Sequence, residues 1–186
     1  MPQRCTTRAF TSVLALIASF GTASAAETDI TIGMQLEPPH LDPTSAAAGA
    51  IDNVVYSNIF EGLTRFMGDG SVVPGLAKSW DISDDGLRYT FHLRGDVQFH
   101  DGTAMDAADV KFSLDRARAE DSTNAQKALF AGIADVAVID PLTVALTLEA
   151  PNGNLLFNLA WGDAVIVASE TIETIKSNPV GTGAFR

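Results

Sequence analysis

Three histidines, a set of aspartates at turn positions and several serines are the side chains in this sequence that could carry chemistry. His92, His100 and Asp101 are close enough in the chain to suggest a metal or acid–base cluster. A metal site needs further ligands at matched spacing, and none stands there. His92 falls on the polar face of an alternating segment and His100 opens a turn, so both read as solvated or hydrogen-bonded. Ser79, Ser83 and Ser113 lack the G-x-S-x-G context and an evident neighbouring base. Asp84, Asp85, Asp101, Asp106 and Asp109 sit where short carboxylates bond nearby backbone amides in turns and caps. Gly181-Thr182-Gly183 lacks the further glycine and the lysine of a phosphate loop. Asp52 and Asn53 read as surface residues of a helix. No catalytic constellation emerges, no cofactor or metal is implied, and the chain is expected not to be an enzyme.

The 186 residues are 46% hydrophobic and include ten Phe and two Trp, enough for the packed core of about one domain. Asp and Glu number 23 against 12 Lys and Arg, for a net charge of −11. That balance disfavours nucleic acid, whose phosphates require basic neutralisation, and disfavours an anionic membrane surface. One cysteine excludes an internal disulfide framework and a cysteine-based zinc site.

Arg4 and Arg8 precede an apolar stretch, Val13 to Phe20, which is too short to span a bilayer. Small residues, Ala23-Ser24-Ala25-Ala26, follow. This is the pattern of a secretory signal peptide over residues 1–25, cleaved near Ala25 or Ala26. Cys5 precedes the apolar stretch and leaves with it. The mature chain then has a net charge of −13, since Arg4 and Arg8 are lost. No other segment is long and apolar enough to cross a membrane, so no membrane insertion is expected.

The elements that must position any site follow from periodicity. Ile30, Ile32 and Met34 alternate as a strand, which Pro38-Pro39 breaks. Ile51, Val55 and Ile59 form one helical stripe, with Gly62 at a plausible C′ position. Asp69-Gly70 marks a turn. Trp80 and Ile82, then Leu87, Tyr89, Phe91 and Leu93, alternate on either side of Asp84-Asp85-Gly86, predicting a hairpin with a type I′ bend. Val97 and Phe99 predict a short strand. From Asp106, an N-cap, Val110, Leu114 and Ala117 predict a helix to about Arg118. A short helix is expected from Gln126 to Phe130. A second hairpin runs through Val136 and Val138, the Asp140-Pro141 bend, and Thr143 to Glu149. Leu155, Leu156 and Leu159 suggest another short helix, and Val165 to Val167 a strand-length apolar run. The class is α/β or α+β with antiparallel hairpins. The final Gly-Thr-Gly-Ala-Phe-Arg has the look of an interrupted chain.

The run VVPGLAKSWDISDDGLRYTFHLRGDVQFHDGTAMDAADVKFSLDR, Val72 to Arg116, closely resembles the signature of family 5 extracytoplasmic solute-binding proteins, the dipeptide-, oligopeptide-, nickel- and glutathione-type receptors of ABC importers. Leu41-Asp42-Pro43, Phe60-Glu61-Gly62-Leu63, Asp140 with Thr143 to Leu148, and Asn178-Pro179-Val180-Gly181-Thr182-Gly183 match in the family's order. Ala184 departs from the proline often found there. The resemblance implies an α/β fold of the periplasmic-binding-protein-like type II class, represented by the N-terminal part of lobe I with an inserted hairpin and helix subdomain. It implies lobe I starting over 26–68, the inserted subdomain over 69–177 and a return to lobe I over 178–186. It implies a periplasmic, monomeric receptor that captures a peptide or peptide-like solute between two lobes and docks on inner-membrane permease subunits. Nickel chelates, opines, haem and glutathione remain open as solutes. Positional matching implies ligand contacts at Ala48, Gly49 and Ala50, and at Gln126. The alanine run reads equally as an ordinary helix N-terminus. The alternatives are a truncated remnant that binds nothing, because half a cleft cannot close, and an exported hydrolase, which would need a nucleophile or metal constellation.

Overall fold

A computed structural model describes residues 31–46 and 48–186. The expected signal peptide, its cleavage point near Ala25 or Ala26, Cys5 and Ile30 lie outside the described residues. Residues 31–34 belong to a different unit from Gln35–Arg186. The alternation through Ile32 and Met34 does not become a strand there. Both side chains are exposed, and among the described residues no strand pairs with them. A strand without a ladder partner leaves its amides to water.

Within Gln35–Arg186 the elements are α1 (Gly49–Val55), β1 (Thr64–Phe66), β2 (Val72–Pro74), β3 (Ala77–Ile82), β4 (Arg88–Leu93), α2 (Ala107–Arg118), α3 (Lys127–Phe130), β5 (Ile133–Asp140), β6 (Thr143–Leu148) and α4 (Leu155–Asn158). Two 3₁₀ turns follow, Gly162–Ala164 and Ser169–Thr174. β1 and β2 form a separate hairpin closed by Asp69-Gly70. The main sheet has the order β3-β4-β6-β5, with every pair antiparallel.

Both expected hairpins form because their alternation matches the pleat. In β4, Tyr89, Phe91 and Leu93 are buried. Burying each such side chain contributes on the order of 1.5–3 kcal/mol. The bend between β3 and β4 is not type I′, which needs positive φ at both central residues. Only Gly86 has it, at 68°; Asp85 instead accepts the Leu87 N–H at 3.0 Å, and Gly86 N–H closes the turn onto the Ser83 carbonyl at 2.8 Å.

α2 begins and ends where its sequence signals place it. Asp106 accepts the Ala108 N–H at 2.7 Å while Asp109 accepts the Asp106 N–H at 3.0 Å, a reciprocal cap. Val110, Leu114 and Ala117 are buried in the same core as β4, β6 and β5. The polar side of α2 reaches β5, an edge strand. Lys111 Nζ donates to the Val136 carbonyl at 2.9 Å and Arg118 Nη1 to the Ile133 carbonyl at 2.9 Å.

A second cluster gathers Ile51 and Val55 of α1 with Phe60, Val165, Val167 and Ile175. Here the chain departs from expectation. α1 stops at Val55, because Tyr56 turns extended and Ser57 takes φ 59°. Gly62 is therefore not its C′ residue and instead bridges Val165. Val165–Val167 is buried as expected but forms that single bridge, with Ile166 N–H donating to the Glu61 carbonyl at 2.9 Å. The segment at Val97 and Phe99 likewise makes one isolated bridge, Gln98 to Ala104.

Candidate functional site

Ala48, Gly49 and Ala50 lie at the start of α1. Ala48 packs against the second cluster and Gly49 is exposed. Gln126 precedes α3, its N–H held by the Asn124 side-chain oxygen at 2.8 Å. No hydrogen bond joins these two segments directly among the described residues. They are linked through the turn after α4. Asn124 Nδ2 donates to the Asp163 carbonyl at 2.8 Å, and the preceding residue, Gly162, backs onto Asp52 of α1. A Cβ at Gly162 would lie 2.6 Å from Asp52 Oδ1, so a side chain there would push the Asp52 carboxyl aside. Tyr56 anchors the same turn by donating its hydroxyl to the Ala160 carbonyl. Phe66, Phe157 and Trp161 meet beside it in tilted and edge-to-face contacts, with Phe66 and Phe157 centroids 4.6 Å apart and both Phe157 and Trp161 partly exposed.

Asp52 is thus not the plain surface residue its helical position suggests; only Asn53 is. Burial pushes the Asp52 carboxyl above the ordinary range. Asp163 is 6% exposed, and burial, with the Asp52 charge behind it, pushes its carboxyl up to about 6. Neither takes part in an ion pair among the described residues. A second buried acid, Asp42, lies against Thr44 and Arg116. Burial pushes its carboxyl up, but the Thr44 hydroxyl and N–H, and then Arg116 at 3.2 Å, outweigh this and hold it below the usual range.

The histidines do not converge. His92 Nε2 lies 2.8 Å from Asp81 Oδ2 across β3 and β4, whereas His100 faces the chain at Gly181–Gly183. Ser113 hydrogen-bonds the backbone of Asp109 and Val167, and Ser83 binds Asp85. Among the described residues no three His, Cys, Asp or Glu side chains are grouped to hold a metal ion. The arrangement offers backbone groups at two helix starts, joined by a turn that carries a shared acid pair.

This fold is that of a type II periplasmic-binding-protein lobe. The model of bacterial extracellular solute-binding proteins, family 5 (middle region), matches residues 71–186, and the chain belongs to that family. It is 39% identical over 150 residues to the glutathione-binding protein GsiB of Pectobacterium atrosepticum, covering 78% of this chain and 29% of the relative. Among solved structures it resembles NikZ from Campylobacter jejuni in complex with Ni(L-His), at 33% identity and a TM-score of 0.70 over 80% of this chain and 30% of that one. It also resembles the periplasmic binding protein DppA from Helicobacter pylori in complex with the peptide STSA, at 29% identity and a TM-score of 0.70 over 77% and 33%. The chain spans about a third of the length of the curated relatives it matches.

Proposed function

We propose that this chain forms one wall of the solute cleft in the periplasmic substrate-binding component of an ABC importer, taking peptides or peptide-like solutes and delivering them to inner-membrane permease subunits. The observation that carries this reading is the family match across residues 71–186 together with the shared fold of receptors whose solutes include a peptide and a nickel–histidine chelate. Export through a signal peptide over 1–25 belongs to the same reading, as does a division into lobe I at 26–68, an inserted subdomain at 69–177 and a return at 178–186. Ala48, Gly49 and Ala50 would present backbone groups to an extended ligand as an added strand, and Gln126 would face it from the α3 loop.

A chimera tests this. Residues 35–186 replace the matching third of the P. atrosepticum glutathione-binding protein, and calorimetry measures binding of glutathione and of tripeptides. Retained micromolar binding, weakened by Gly49→Trp or Gln126→Ala, supports the proposal. A folded chimera that binds none of these solutes overturns it.

A further inference from the structure

The two motifs that carry much of the family resemblance, Phe99-His100-Asp101-Gly102 and Val180-Gly181-Thr182-Gly183, meet in the fold. The His100 ring sets both nitrogens against the second motif's backbone: Gly181 N–H lies 3.3 Å from Nδ1, and Nε2 lies 2.8 Å from the Gly183 carbonyl oxygen. Around the ring, His100 N–H donates to the Gly181 carbonyl at 2.9 Å and Arg186 Nη1 to the His100 carbonyl at 3.0 Å. An amide N–H can only donate, and a carbonyl oxygen can only accept. Nδ1 therefore carries the lone pair and Nε2 the proton, which is one tautomer of the neutral ring. A proton added at Nδ1 would point at the Gly181 N–H and remove its acceptor.

The same segment is held on its other side. Gly183 N–H donates to the Ile59 carbonyl at 2.9 Å and Phe185 N–H to the Asn58 carbonyl at 3.0 Å. Neither Gly181 nor Gly183 has room for a Cβ against those carbonyls. Loss of the Nδ1 acceptor thus loosens the Gly181 amide within a segment still held at its other bonds. An open cavity of ≈ 480 Å³, lined by His100, Asp101, Asn178, Pro179, Val180 and Arg186, adjoins it and gives the segment space to move.

We infer that His100 is a neutral-imidazole latch, which fastens the Gly181 amide to the body of the fold and releases that amide when the ring is protonated. Three charged groups surround the latch. Asp101 is engaged by the Thr103 N–H at 2.9 Å, Glu61 accepts the Thr182 hydroxyl at 3.0 Å, and the Arg186 guanidinium sits on the His100 carbonyl. Of the two ring nitrogens, only Nδ1 is free to gain a proton.

Imidazole ¹H–¹⁵N spectra of the 186-residue chain at pH 8 are expected to show the Nε2–H tautomer for His100; the Nδ1–H tautomer overturns the latch. Amide exchange at Gly181, corrected for the intrinsic pH dependence, is expected to quicken roughly three- to tenfold between pH 8 and pH 5 while β4 amides hold. His100→Gln, which keeps a donor for Gly183 and cannot titrate, is expected to flatten that dependence. Equal protection at both pH values in the parent chain, or an unchanged pH dependence in His100→Gln, refutes the proposal. The parent measurements decide alone if the variant does not fold.

Discussion

Asp163 is the residue at which the sequence pays least attention to helix and strand rules and most to its surroundings. Its carboxyl titrates near 6 when folded, against about 3.9 for an unfolded aspartate. Between those values the native chain holds a proton that the unfolded chain has lost, so stability falls as pH rises from about 4 to about 6. Above that window the penalty is complete. Asp163→Asn removes the titration and is expected to raise the unfolding free energy at pH 7.5 by about 2 kcal/mol, a gain that shrinks toward zero at pH 4. Urea melts at the two pH values check this; a gain of equal size at both would count against the assigned cause. Asp42 has the opposite sense. With its carboxyl held low by Thr44 and Arg116 despite full burial, it supports the fold above the unfolded aspartate range and loses that support as acid protonates it.

Among the elements, β4 and α2 carry the fold, for different reasons. Phe91 is fully buried at the centre of the sheet, with ring centroids 6.2 Å from Trp80 and 6.4 Å from Tyr89. Phe91→Ala is expected to cost about 3–5 kcal/mol, whereas Asp106→Ala, which removes only one half of a reciprocal cap, costs about 1 kcal/mol. Chemical denaturation of both variants tests that order. β4, α2 and the β5–β6 hairpin were legible in the sequence because their signals are local: alternation along a half-buried strand, and a capping aspartate before an apolar stripe. The length of α1 was not, because Ile59 continues its stripe after the backbone has already turned at Tyr56. The acid pair was not either, since Asp52 and Asp163 are far apart in sequence and meet only through the turn at Gly162. Ala48, Gly49, Ala50 and Gln126 came from family position alone, and no local feature singles them out.

At the scale of the molecule, the proposed cleft has two walls and residues 35–186 belong to one. Ligand pockets of this kind owe their affinity to removing most of the solute's surface from water, and a single wall leaves that surface wet. The 186-residue chain by itself is therefore expected to show no thermal shift with di- and tripeptides, and a clear shift at micromolar ligand would contradict the one-wall reading. The contacts from α2 to β5 have a separate consequence. An outer strand normally offers a row of bare carbonyls on which another polypeptide can continue the ladder. With Lys111 and Arg118 already occupying the Val136 and Ile133 carbonyls, part of that margin is taken by an ammonium and a guanidinium group. A neighbouring molecule that came to zip along this border would first have to displace both, an obstacle drawn from the same helix that fills the core.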